Sequence, residues 1–228
     1  MITIVFTCDR KFLFPMAISA YSALDNLSDD AKAEIYVIST GISLRIQKKI
    51  EIILKRTGKL KSLNWIITSL QNKEKLYVTR EINSTTYLRL LIPNLLSHKA
   101  RAIYLDSDII VRGDLLTIWD SDLDIYSTAG VQDYYFTKIK SNMAIPNYKH
   151  LSLNGEAPFC NAGVLLMNLD FWRSKRLGEK IMQYVKTYNQ NDQQGINAIL
   201  NGNWSLLNPS WNVTLSSINS LTNNYKQV

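Results

Sequence analysis

The chain has 228 residues, a length that suits one domain able to bury a sizeable core. Hydrophobic residues make up 46% and charged residues 20%, which excludes a disordered chain, and no apolar run approaches the roughly 20 residues of a membrane span. The net charge of +7 admits anionic partners, but no recognition motif or basic–aromatic repeat accompanies it, so nucleic acid is not an expected partner.

The opening "MITIVFTCDRKFLFP" has no charged region ahead of its apolar stretch, so residues 2–7 are predicted as a strand and not a signal peptide. Pro15 to Leu24 suits a helix with proline early, where its missing N–H does no harm. Residues 34–39 are predicted as a second strand. Residues 43–61 carry the densest basic run. Ile46, Ile50, Ile53 and Leu54 recur there at helical spacing, between a capping Ser43 and a terminating Gly58. The lysines fall mostly off that stripe, which predicts a packed helix with a solvated basic face. Contact with the inner face of a membrane is the other use of such a face.

Residues 62–68 are predicted as a third strand. "TTYLRLLIPNLL" suits a helix that Pro93 kinks or ends. A strand then runs into Asp106. This alternation predicts an α/β fold, with parallel strands and helices on both faces of the sheet. Further on, "DIIV" suits a short strand, "GDLLTIWD" a short helix and residues 127–132 a strand. Residues 134–158 form a long irregular segment of the kind that is usually functional or mobile. "AGVLLMNL" returns to a buried strand, followed by helices near 175–188 and 192–201 and a strand at 204–207. No repeat or linker interrupts the chain, so one domain is expected over 1–228.

Two cysteines, Cys8 and Cys160, make neither a disulfide framework nor a metal cluster. A reducing cytoplasm is the expected location. The Asn-x-Ser/Thr matches at Asn26, Asn83, Asn203 and Asn212 then carry no meaning. His98 and His150 are expected at the surface.

Within this pattern "AIYLDSDIIV" stands out. It sets Asp106 and Asp108 inside an apolar run, where an uncompensated charge is costly. With 13 aspartates, about one Asp-x-Asp match arises by chance, and the overlapping matches in "WDSDLD" suit a solvated turn. Asp106 and Asp108 differ in context. Residues two apart on an extended chain face one side, so both carboxylates can meet at a strand end, where open α/β sheets bind ligands. Their oxygens suit a hard divalent ion, Mn²⁺ or Mg²⁺, together with phosphate oxygens.

Asp9 follows the first strand and can accept hydrogen bonds from a base or ribose, or cap the next turn. No Gly-x-Gly-x-x-Gly and no P-loop motif is present, which excludes the common dinucleotide and triphosphate cradles. In "FCNAGVLLMNL", Asn161 precedes the small pair Ala162–Gly163, which lets a ligand approach the backbone; taken alone, the stretch is better read as a turn. Asp192 is placed to cap the last long helix, whereas Gln193 has no such role.

Taken in order, "IVFTCD", "TTYLRL", "AIYLDSDIIV", "DLLTIWD", "FCNAGVLLMNLDFW", "NDQQGIN" and "LNPSWNV" resemble the glycosyltransferase family 8 pattern of retaining enzymes. The resemblance runs from residue 1 to about 213. It implies a GT-A fold, a Rossmann-like mixed sheet with residues 1–112 as nucleotide-binding half and 113–228 as acceptor-side half. It implies a UDP-hexose donor, Mn²⁺, and a saccharide, lipid-linked glycan or glycoprotein acceptor. By carry-over, Thr7 and Asp9 would meet the uridine and Arg89 would reach the donor sugar. Asp106 and Asp108 would bind the metal, and the Ser107 backbone would lie against the ribose. Asp133, Asn161 and Ala162 would contact donor sugar or acceptor. Asp192 would bond sugar hydroxyls, and Gln193 would sit at the β face of the anomeric carbon. The family's later His-x-Gly-x-x-Lys-Pro-Trp motif is not found up to Val228, so weaker metal binding and reduced transfer are expected. A UDP-sugar-binding domain needing a further segment or partner is the alternative. A nucleotidyltransferase using the same two carboxylates is a third reading.

Overall fold

A computed structural model describes residues 1–70, 76–79, 84–214 and 218. Asn83 and the polar tail 219–228 lie outside the described residues. Four strands run parallel: β1 (Ile2–Cys8), β2 (Ala33–Ser39), β3 (Leu60–Ile67) and β4 (Arg101–Leu105). β5 (Thr128–Gln132), β6 (Cys160–Asn168) and the short β7 (Ser205–Leu206) complete one sheet in the order β3-β2-β1-β4-β6-β5-β7. β6 runs antiparallel to both β4 and β5, so the sheet is mixed. β1 is buried at every position, which is why its sequence is a continuous apolar run and not an alternating one.

Helices α1 (Leu13–Asp25) and α2 (Leu44–Lys55) cover one face of the sheet with the single turn α4 (Leu116–Trp119). The other face is covered by a 3₁₀ segment at Thr86–Leu91 and by α3 (Ile92–Leu95), α5 (Leu169–Ser174), α6 (Leu177–Tyr188) and α7 (Asp192–Leu200). Two apolar cores result, one under each layer. A third, smaller cluster gathers Ile139, Ile145 and Phe159 with Tyr184 of α6, so the irregular segment 134–158 is packed by its own side chains.

Several expectations change. "DIIV" is not a strand, because Val111 turns off to bond the Ser22 hydroxyl and the Asn26 amide of α1. "TTYLRLLIPNLL" winds as 3₁₀ first, and Pro93 sits in the first turn of α3, where it starts helix instead of ending it. α5 was not anticipated; Asn168 caps it by accepting from the Phe171 amide at 3.0 Å. In α2, Ile46, Ile50 and Leu54 face the core, but Ile53 is exposed. Ser43 makes no side-chain cap, while Gly58 does close the helix region at φ +70°. Both histidines are exposed, as expected.

Candidate active site

β1, β4 and β5 end, and β6 begins, at the same edge of the sheet. That edge gathers most of the residues singled out in the sequence. A cavity of about 160 Å³ opens there, lined by Thr7, Asp9, Arg89, Asp106, Ser107 and Asp108, with Phe12, Thr85, Thr86 and Tyr104.

Arg89 is the hub. It is 6% exposed and comes from the 3₁₀ segment. Its Nη2 lies 3.1 Å from Asp106 Oδ1 and its Nε 2.8 Å from Asp192 Oδ2. Nη1 donates to the Ala162 carbonyl at 2.6 Å, and Nε–H is aimed at the Thr86 carbonyl. Burial opposes the charge on Arg89, but Asp106 and Asp192 outweigh it and hold the guanidinium above its ordinary pKa. Asp192, 3% exposed, therefore has an ion pair to Arg89 without a well-aligned hydrogen bond at Oδ2. Burial raises its pKa, with Arg89 pulling it back.

Tyr104, missed in the sequence reading, lies under Arg89 with the guanidinium 4.6 Å from its ring centre. Its hydroxyl donates to Asp106 Oδ1 at 2.7 Å, so Thr7 Oγ1, 3.2 Å away, must donate to it. The signal was available: Tyr104 sits two residues before Asp106 on a strand and so shares its face. Ser107 Oγ donates to the Thr7 carbonyl at 2.8 Å, tying the ends of β1 and β4. Asp9 Oδ1 accepts from the Lys11 and Phe12 amides, the turn-capping role, and these bonds turn the Phe12 ring toward the cavity.

Asp133, Asn161 and Gln193 form an adjoining cluster that does not line this cavity. Asp133 Oδ2 accepts from Asn161 Nδ2 at 2.8 Å and Gln193 Nε2 at 3.1 Å. Its Oδ1 takes the Tyr135 and Phe136 amides. Gln193 Oε1 accepts from the Ala162 amide at 2.9 Å. A register shift between Gly130 and Val131 lifts residues 162–164 out of pairing with β5. That bulge frees the Ala162 N–H and C=O, which go to Gln193 and Arg89 and so link the two clusters. Asn161 is thus inside β6 and not in a turn. Its Oδ1 accepts from the Gly163 amide and from Asn212 Nδ2, which lies in the "LNPSWNV" motif but was assigned no role there. At Gly163 a Cβ would come 3.1 Å from both Asn161 Oδ1 and Asp106 Oδ2, so any larger residue would press on both side chains.

Asn191 caps α7 instead of Asp192, through a reciprocal box with Gln194. This releases Asp192 toward Arg89. Cys8 and Cys160 are buried and free, and burial pushes the Cys8 thiol up to about 12, which leaves it unreactive.

Asp108 is exposed as a residue but lines the cavity, and partial desolvation there, with the like charge of Asp106, raises its carboxyl pKa. Two hard oxygen donors facing one cavity, with repulsion between them, fit a divalent cation in part. Among the described residues no third His, Cys, Asp or Glu joins them.

The family model of glycosyl transferase family 8 matches residues 3–228. The chain belongs to this family. Among family 8 relatives, General stress protein A of Bacillus subtilis (strain 168) is 25% identical over 199 residues, which cover 84% of this chain and 66% of the relative. Glycosyltransferase GlyB of Streptococcus pneumoniae serotype 4 is 26% identical over 235 residues, covering 98% of this chain and 51% of GlyB. The chain spans about half to two thirds of the length of the curated relatives it matches. The crystal structure of the galactosyltransferase LgtC in complex with donor and acceptor sugar analogs superposes with a TM-score of 0.80 at 23% identity, over 96% of this chain and 78% of LgtC. That likeness is one of fold, and the fold is GT-A.

Proposed function

We propose that this family 8 glycosyltransferase is a retaining enzyme that moves a hexose, glucose or galactose, from a UDP-sugar to a saccharide, lipid-linked glycan or glycoprotein acceptor. One observation carries the reading: Asp106 and Asp108 converge on a cavity at the carboxyl edge of the sheet, with Arg89 bridging Asp106 to Asp192. A diphosphate fits carboxylates only through a cation. Asp106 and Asp108 would hold Mn²⁺ or Mg²⁺, which when bound supplies neutralisation of the charge on the leaving diphosphate.

The chain's own residues take the remaining roles. Thr7, Asp9 and Phe12, which line the cavity, would meet the base and ribose, with the Ser107 backbone beside them. Arg89 pairs with Asp106 and Asp192 and offsets part of the burial penalty at Asp192, so Asp192 would accept from sugar hydroxyls. Asp133 fixes the amides of Asn161 and Gln193, and the Ala162 amide sets which end of Gln193 is oxygen. An amide is a weak nucleophile, so Gln193 suits stabilisation of a cationic sugar centre, with the acceptor proton passing to the departing diphosphate oxygen on the same face.

Donor hydrolysis tests this. The chain is incubated with UDP-glucose, UDP-galactose or UDP-N-acetylhexosamines, with Mn²⁺ or with EDTA, and free UDP is measured. Release from one hexose donor that requires Mn²⁺ is expected. UDP binding without release from any donor would replace transfer with donor binding alone. Turnover of a nucleoside triphosphate instead would overturn the reading.

A further inference from the structure

We propose that the outer face of the α1–α2 layer, at the end nearest the candidate active site, docks the protein onto an anionic lipid bilayer. The inference is independent of the donor and of the chemistry at the site. α1 and α2 lie side by side on one face of the sheet, each following a parallel strand. Both helices therefore start at the carboxyl edge, where the cavity opens, and Phe12 just ahead of α1 lines that cavity.

Each helix carries large apolar side chains on its outward line. In α1, Met16, Ala20, Ala23 and Leu24 point to the core. Phe14, Ile18 and Tyr21, spaced four and three apart, form a stripe on the opposite side. They are 75%, 42% and 37% exposed. In α2, Leu44 and Ile52 are 73% and 60% exposed, and at 100° per residue Ile52 falls opposite the buried Ile50–Leu54 side. Scattered exposed apolar residues need no explanation, but Phe14 and Leu44, strongly exposed at the starts of two adjacent helices, do.

Charge selects the occupant. Around Phe14 and Leu44 stand Arg10, Lys11, Arg45, Lys48 and Lys49, all exposed. Across residues 10–24 and 40–50 there is no carboxylate. Toward the far ends of the helices the first carboxylates are Asp25 and Glu51, the latter beside Ile52 and paired with Lys55 at 2.7 Å, and at the near end Asp9 precedes Arg10 with its Oδ1 turned to the Lys11 and Phe12 amides. An apolar surface whose exposed charged neighbours at the starts of α1 and α2 are mostly cations, Arg10, Lys11, Arg45, Lys48 and Lys49 against Asp9, matches the headgroup boundary of an anionic bilayer, where rings and leucine sit in the acyl edge and lysines meet phosphate. A second copy of the same face would oppose cation to cation. A polyanion without an apolar phase would leave Phe14 and Leu44 in water. Docking there would present the mouth of the cavity close to the membrane plane.

Vesicle co-sedimentation of the full chain tests this, using phosphatidylcholine alone and phosphatidylcholine mixed with phosphatidylglycerol. Binding to the mixed vesicles only, weakened by salt, is expected. Lys48→Glu with Lys49→Glu should reduce partition at least 20-fold, from about fivefold for each cation lost. Phe14→Ser with Leu44→Ser should reduce it more than tenfold, at the scale of two apolar side chains withdrawn from burial. Lys48→Arg with Lys49→Arg should leave it unchanged. Far-UV circular dichroism and thermal unfolding of each variant separate loss of binding from loss of fold. Absence of binding to mixed vesicles, equal binding to neutral ones, binding indifferent to both variant pairs, or tighter binding to single-stranded RNA would each overturn the proposal.

Discussion

At the residue scale, the site is a buried charge balance. Asp106 and Asp192 share one cation, Arg89, and all three are held away from water to different degrees. Breaking such a set is costly because the remaining charges lose their compensation. Arg89→Met should therefore destabilise the chain by about 3–5 kcal/mol, read from urea unfolding, while Arg89→Met combined with Asp192→Asn should recover part of that loss. A merely additive double variant would show that the two side chains are not coupled. The sequence displayed both aspartates plainly, because charges in an apolar run stand out. It did not display Tyr104, because a buried tyrosine in a strand looks like any other core residue until its hydroxyl is found between Thr7 and Asp106.

At the element scale, local propensity and packing agree for long elements and part company for short ones. β1, β2, α1, α6 and α7 lie within a few residues of their expected bounds because each has a sustained apolar pattern. The segment around Arg89 was expected as one helix, yet its first turn tightens to 3₁₀ beneath α6. Gly178 explains how α6 comes so near: a Cβ there would overlap the Leu90 carbonyl. Gly178→Ala should push α6 away from the 3₁₀ segment and cost about 1–3 kcal/mol, despite the better helix propensity of alanine. Thermal unfolding of the variant checks this, and a higher midpoint would show that the contact relaxes freely. The expectation for Asp192 failed for a related reason. Asn191 competes for the same cap and wins it through Gln194, three residues on, and that one-residue shift in the helix start leaves the Asp192 carboxylate to face Arg89.

At the scale of the whole molecule, both candidate clusters hang on one sheet edge, so a ligand that bridges them should stabilise the fold broadly. With UDP and Mn²⁺ at about 100 times their dissociation constants, linkage gives about 2.7 kcal/mol. For a chain of this size that is a rise of about 5–10 °C in the unfolding midpoint. UDP with EDTA should give a much smaller rise, measured by differential scanning fluorimetry. An equal rise with and without metal would remove the cation from the binding scheme. Among the described residues no helix is long and apolar enough to cross a membrane, so any membrane attachment by these helices must be made along a surface, and the α1–α2 face is where the charge and apolar area coincide.

What the sequence by itself determined was the family, the order of the long strands and helices, and the convergence of Asp9, Asp106 and Asp108 on one edge. The family follows from the resemblance of seven motifs taken in order, and the convergence from the period-two geometry of strands, a local property. What only the tertiary structure decided was how those charges are balanced. Arg89, Tyr104 and Asp192 meet through two crossovers and a bulge in β6, and the bulge redirects the Ala162 amide and carbonyl to Gln193 and Arg89. No local pattern encodes that meeting, because burial is what makes an unpaired charge intolerable, and burial exists only once the layers have packed.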